Sequence, residues 1–205
     1  MSLELVNVTL FLAGKPLFAP LSAVAEPGTI LTIMGPSGVG KSSLLDFIGG
    51  HLAREISAEG DIRLSGQTLL NLPAYQRKIG MLFQDASLFP HLSVAGNLAF
   101  GLTGDNRADR IAKALASVGL DGSEARDPAT LSGGEKTRVA LMRTLLSAPK
   151  AVLLDEPFAK LDQTTRASVR AMVVAHVTSA NIPAIMVTHD REDAEAAKGP
   201  IITLR

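Results

Sequence analysis

A chain of 205 residues, 46% hydrophobic and 20% charged, has ordinary globular composition and enough length for a sizeable core. Twenty basic residues balance twenty acidic ones, so no global charge attracts nucleic acid or anionic lipid. The absence of cysteine excludes disulfides and thiolate metal sites. No stretch approaches the about 20 consecutive apolar residues of a spanning helix. Ala23-Val24-Ala25 looks like a signal-peptidase site, but Glu4 stands where a basic leader is needed and Gly14, Lys15 and Pro16 break the apolar run. The expectation is a soluble protein that stays in the compartment where it is made.

Taken in chain order, residues 2–10 alternate like a half-buried strand, and 17–32 carry short apolar runs broken by Pro20 and Gly28. Residues 29–34 (TILTIM) are apolar and β-branched, and stop at Gly35. After a glycine-rich turn, residues 42–52 place Leu44, Leu45, Ile48 and Leu52 at helical spacing. Residues 61–64 and 79–83 read as strands. From 88 to 131 the pattern turns helical, with Ile111, Leu115 and Val118 on one face before Gly119. Residues 136–147 form a further helix, ended by Pro149. Residues 151–154 and 184–187 are continuous apolar strands of the kind buried in parallel sheets, with a helix over 164–177 between them. The fold class is therefore α/β: antiparallel strands, a strand–loop–helix unit, a helical subdomain near 88–140, then βαβ around a mostly parallel sheet.

Residues 35–42, Gly35-Pro36-Ser37-Gly38-Val39-Gly40-Lys41-Ser42, fit G-x-x-x-x-G-K-[ST] between a strand and a helix. Such a loop turns successive backbone N–H groups onto phosphate oxygens at a helix N-terminus. Lys41 would reach the β- and γ-phosphates of ATP, and Ser42 would offer its hydroxyl to Mg²⁺. Residues 151–157 (AVLLDEP) end a buried strand in Asp155, at the sheet edge where ligands bind. Asp155 would hold Mg²⁺, and Glu156, pointing differently, would polarise an attacking water.

GPSGVGKSS (35–43), Gln84 within LFQD, LSGGE (131–135), LLDEP (153–157), KLD (160–162) and VTHD (187–190) follow one another as in an ABC-transporter ATPase. The chain resembles that family over nearly its whole length. The resemblance implies one ABC ATPase domain over residues 1–205, with a P-loop NTPase core, an N-terminal antiparallel β subdomain and no C-terminal regulatory domain. It implies that residues Gly35, Pro36, Ser37, Gly38, Val39, Gly40, Lys41, Ser42 and Ser43 bind nucleotide. Glu156, His189, Gln84 and Lys41 would carry catalysis, and Ser42, Gln84 and Asp155 would hold Mg²⁺.

The resemblance further implies a homodimer in which Ser132, Gly133, Gly134 and Glu135 face the partner copy's ATP. Asp162 would link the two sites, or simply cap the helix that follows. Residues 85–102 resemble the importer-type pattern. The expected assembly is therefore a pair of these chains on two integral membrane permease subunits, served indirectly by an extracytoplasmic substrate-binding protein and binding no nucleic acid. Its place would be cytoplasmic, peripheral on the inner face of the cell membrane. Three departures stand out: Phe11 or Leu12 occupies the place of an adenine-stacking aromatic, Ala159 stands where serine is common, and the expected regulatory β-domain of many importer ATPases has no room before Arg205. Glu135, besides, stands where close relatives commonly have glutamine. A carboxylate at 135 must be solvated or turned toward a cation such as Lys136 or Arg138.

A soluble ABC ATPase acting on ribosomes or DNA is the alternative. The segment between Gln84 and Ser132 is too short for a coiled-coil insert and lacks sustained heptads. A small P-loop kinase would leave LSGGE, Gln84 and His189 without a role.

Overall fold

The structure, a computed structural model, describes residues 1–205. An antiparallel sheet opens the chain with β1 (Leu3–Leu12), β2 (Lys15–Pro16) and β3 (Leu21–Ala25). β4 (Ile30–Met34) enters a second sheet and leads through the glycine-rich loop into α1 (Lys41–Gly49). β5 (Ile56–Leu64) and β6 (Gln67–Thr68) return to the first sheet, then α2 (Ala74–Arg77) and β7 (Ile79–Leu82) go back to the second. Three helices follow, α3 (Val94–Ala99), α4 (Arg107–Ser117) and α5 (Gly133–Leu146). The chain closes with β8 (Ala151–Asp155), α6 (Gln163–Ala180), β9 (Ala184–Val187), α7 (Arg191–Ala196) and β10 (Ile201–Thr203).

The second sheet is parallel throughout, in the order β10-β4-β9-β8-β7. Its strands alternate between two cores, as the two-residue strand period requires. Val152, Leu154, Ala184 and Met186 pack with α3–α6, whereas Leu153, Ile185, Val187, Leu31 and Ile33 pack with Leu44, Leu45 and Ile48 of α1 and with the antiparallel sheet. Both faces are covered, which is why these strands read as unbroken apolar runs. The α/β class with one antiparallel and one parallel sheet is as the sequence led us to expect.

Several boundaries differ from the pattern-based expectation, for physical reasons. β5 begins at Ile56, five residues before the expected start at 61. Its middle, Glu59-Gly60-Asp61, has the composition of a turn, yet Gly60 at φ 97° sits across from a bulge in β1. A β-carbon at Gly60 would collide with the carbonyl oxygens of Val6 and Asn7. Asn7 itself lies at φ 48°, and the extra residue lets Leu3 and Leu5 before it and Val8 and Leu10 after it all reach the core. α5 starts three residues before the expected 136, because a capped first turn tolerates glycine where its N–H groups lack helical partners anyway. Between 88 and 131 regular helix is limited to α3 and α4 and a 3₁₀ turn at Pro128–Thr130.

Candidate active site

Four neighbouring parallel strands end at one edge of the sheet, and each delivers a residue singled out by the sequence. β4 runs into the 35–43 loop, β9 into Thr188 and His189, β8 ends in Asp155 and Glu156, and β7 is followed by Gln84. A cleft of about 340 Å³ lies there, lined by Ser37, Gly38, Gly40, Lys41, Ser42 and Ser43 of the loop together with Gln84, Asp155 and Glu156. Gly35, Pro36 and Val39 lie outside its lining. The apolar part of the lining is Leu12, Leu17 and Ile56. Of the two candidates for the adenine end, Leu12 lines the cleft and Phe11 does not.

The loop holds its shape through Lys41. Gly40, at φ 98°, caps α1 in the left-handed region open to glycine, and Lys41 is buried as the first residue of that helix. Its Nζ donates to the carbonyl oxygens of Gly35 (2.8 Å) and Pro36 (3.0 Å). A buried ammonium needs such partners, and these two carbonyls bend the loop around it.

Asp155 is buried at the end of β8, and its Oδ1 has no hydrogen-bond partner. Burial pushes its carboxyl above the usual range, and the nearby Ser42 hydroxyl offsets part of that shift. Glu156 takes a left-handed backbone, φ 46°, a conformation that costs a residue with a side chain about 1–3 kcal/mol. Its N–H donates to Val187 O (3.1 Å). One carboxylate oxygen accepts from the His189 backbone N–H (3.1 Å) and lies 2.7 Å from His189 Nδ1, and the other accepts from Thr188 Oγ1 (3.2 Å). His189, expected from the resemblance to carry catalysis, meets Glu156 here and does not line the cleft. Nδ1 is thus the ring nitrogen placed to bond the Glu156 carboxylate.

Residues 132–135 lie apart from this cleft, at the start of α5. Ser132 is the N-cap: its hydroxyl accepts from Glu135 N (3.3 Å), while Glu135 Oε2 accepts from Ser132 N (2.7 Å). This reciprocal capping box accounts for the serine and the acid three residues apart. Glu135 Oε1 accepts from Arg126 Nη1 at 2.7 Å, which corrects the expected pairing with Lys136 or Arg138. Lys136 lies about 100° further round the helix, and Arg138 is spent on the Val118 carbonyl at the end of α4 (2.6 Å). The Ser132 N–H and then the Arg126 guanidinium hold the Glu135 carboxyl down to about 2, from 4.5. Glu135→Ala is expected to lower unfolding stability by about 1 kcal/mol, as loss of a cap does. Because the folded value is depressed, this stabilisation is full above about pH 4.5 and fades as pH falls through about 2; thermal unfolding of both forms across that range checks it.

The two glycines differ. A β-carbon at Gly133 would meet nothing within 4 Å, whereas one at Gly134 would meet the Lys160 carbonyl oxygen at 3.1 Å and Leu161 at 3.4 Å. Asp162 follows, and it caps α6 by accepting from Thr165 N (3.0 Å). In the segment after Gln84, Val94 is buried and Leu88, Phe89 and Leu92 are half-buried, while Phe100, like Phe83 just before Gln84, is exposed. Asn97, fully buried, donates to the Phe89, Leu92 and Ser93 carbonyls and accepts from Phe89 N and Arg143. Leu17, Ile56 and Arg126 carried no motif signal. Thr188 lay within VTHD, where only His189 was given a role, although a residue at a buried strand end beside it could have been suspected.

The geometry agrees with what other proteins show. A family model described as ABC transporter matches residues 18–159. The chain is 45% identical over 194 residues to YnjD of Escherichia coli, described as an uncharacterized ABC transporter ATP-binding protein, covering 93% of this chain and 89% of that one. It is 44% identical to the Fe(3+) ions import ATP-binding protein FbpC of Pseudomonas fluorescens, matching 100% of this chain but spanning only 59% of FbpC. The dimeric ATP-binding cassette MJ0796, solved in a post-hydrolysis state with ADP and Pi, superposes with a TM-score of 0.83 at 28% identity, over 99% of this chain and 94% of that one. A phosphate loop, an acid pair and a separately capped LSGGE helix on this sheet, matched across most of the chain, make it a member of the ABC transporter family.

Proposed function

We propose that the chain is the ATP-hydrolysing, energy-coupling subunit of an ABC importer, working as a homodimer on two membrane permease subunits. The observation that carries this reading is that the capped start of α5 takes no part in lining the cleft around Lys41, which leaves it available to a different nucleotide. Ser132 keeps its hydroxyl proton free, since that oxygen only accepts within the chain, and Gly133 opens onto solvent. Both suit the γ-phosphate of an ATP held by a second copy. Asp162 would join the two sites through the loop that touches Gly134.

In the cleft, backbone N–H groups of residues 37–43 and the Lys41 ammonium take the phosphates, and Leu12, Leu17 and Ile56 take the base. The donor set fits Mg²⁺: Asp155, whose buried Oδ1 has no hydrogen-bond partner, lines the cleft together with Ser42 and Gln84. No cluster of three or more His, Asp or Glu could hold a metal without the nucleotide, as expected of a cation that arrives with phosphate. When bound there it would neutralise charge on the phosphate oxygens. Glu156 accepts a proton from the attacking water as its oxygen bonds the γ-phosphorus and the bond to the bridging oxygen of ADP breaks. His189 bonds Glu156 and would reach the phosphate by turning away from it.

Residues 85–102, framed by Asn97 and Arg143, would receive a membrane subunit. No helix of the chain is long and apolar enough to cross a membrane, so attachment would be through those subunits. FbpC is named for Fe(3+) import; the cleft lining here is accounted for by nucleotide, which leaves cargo choice to the membrane and binding proteins. The chain is expected to sediment with membranes only when its membrane subunits are co-expressed. Quantitative recovery with ribosomes instead would overturn the transporter reading.

A further inference from the structure

Within VTHD, beside His189, the structure singles out Thr188. It is fully buried at the end of β9, and its backbone N–H donates to Ile33 O (3.2 Å) in the neighbouring strand β4. Its hydroxyl oxygen accepts from Asp190 N at 3.1 Å and donates to Glu156 Oε2 at 3.2 Å. A hydroxyl has one proton; with Asp190 N–H already occupying the oxygen as a donor, that proton is directed at the carboxylate.

What lies behind Thr188 is rigid. Asp190 caps α7, accepting from Glu192 N and Asp193 N. Arg166 of α6 bonds both Asp190 (2.9 Å) and the buried Asp193 (2.6 Å), and Arg170, one turn on, holds the other oxygen of Asp193 (3.1 Å). Two guanidiniums thereby tie the start of α7 to α6 around a carboxylate that is only 2% exposed. Removing one partner from such a buried cluster is costly, so the backbone at 188–190 has a fixed place relative to the sheet.

We propose that Thr188 is a positioning residue for ATP hydrolysis, fixing the carboxylate of Glu156 through its buried hydroxyl. This rests on the reading of Glu156 as the base. The side chain of His189, the other donor to Glu156, is 63% exposed and is the group expected to turn toward phosphate. Thr188 is then the side-chain donor that stays with Glu156. The left-handed backbone of Glu156 makes such a restraint necessary, since a strained residue keeps its place only where its surroundings hold it.

The test uses the full chain and measures ATP turnover beside ATP affinity. Thr188→Val keeps the shape and removes the hydroxyl; kcat is expected to fall about tenfold to a hundredfold, the usual loss when a supporting partner is removed or a group is misplaced by about 1 Å. ATP affinity should remain within about twofold, because the interaction acts on turnover and not on ground-state binding. Thr188→Ser, which retains the hydroxyl, should recover most of the activity. On a Glu156→Gln background Thr188→Val should add no further loss, since the two act as one unit. Wild-type kcat in Thr188→Val, or a full additional loss on the Glu156→Gln background, would overturn the proposal. Should the valine variant fail to fold, Thr188→Ala compared with Thr188→Ser decides in the same way. Glu156→Gln retaining full turnover would overturn the reading of Glu156 itself, whereas an inactive Glu156→Gln beside a fully active Thr188→Val would overturn Thr188 alone.

Discussion

Glu156→Gln is expected to bind ATP with near-normal affinity, to lose turnover by about 10²–10⁴-fold and to accumulate as an ATP-bound dimer. The amide has the shape of the carboxylate and its oxygen can still accept from the Thr188 hydroxyl or the His189 backbone, so the strained backbone and the cleft wall should persist. What the amide cannot do is take a proton from water. ATP would then remain between the two copies, and an anion bound by two positive surfaces holds them together until it is split. Phosphate release in a single turnover, with size-exclusion chromatography in ATP, measures both halves of the expectation. A fully active variant would remove Glu156 from its assigned role.

Lys41→Ala should act at the step before, lowering ATP affinity at least about a hundredfold, the order expected from losing charge-assisted bonds in a partly dry site. Lys41 has two jobs that alanine loses together. Its ammonium holds the Gly35 and Pro36 carbonyls, and phosphate oxygens would compete for the same protons. Affinity is therefore the difference between two sets of bonds. Lys41→Arg should not restore it, because a planar fork cannot replace a compact ammonium among these carbonyls. Nucleotide titration against an unchanged far-ultraviolet circular dichroism spectrum checks the expectation; an affinity within about threefold of wild type would contradict it.

Much of this site was legible because its motifs sit where strands end. The runs 29–34, 151–154 and 184–187 are apolar on both faces, and that alone places Gly35, Asp155 and His189 at one edge of a parallel sheet. Local patterns could not show what depends on partners distant in the chain. Arg126 lies nine residues before Glu135 in a loop without periodicity, so its ion pair had no signature, and the nearer cations looked better placed. Gly60 hid a strand because the residue that makes it necessary, Asn7, is on another strand. Leu17 and Ile56 gave no sign of lining a nucleotide cleft, since an apolar residue at a strand end usually signals only core. The short α7 and β10 escaped because their burial depends on α6 and β4.

Adjacent letters in LSGGE turn out to answer to different neighbours. At 134, the missing side chain makes room for the Lys160 carbonyl of the same protomer. At 133 there is nothing inside the chain to make room for, and glycine in a helix costs stability relative to alanine. The folded protomer gains nothing visible from that second glycine. No atom of this chain lies within 4 Å of where its side chain would be, and in the proposed dimer that open side is where a second copy's nucleotide would sit.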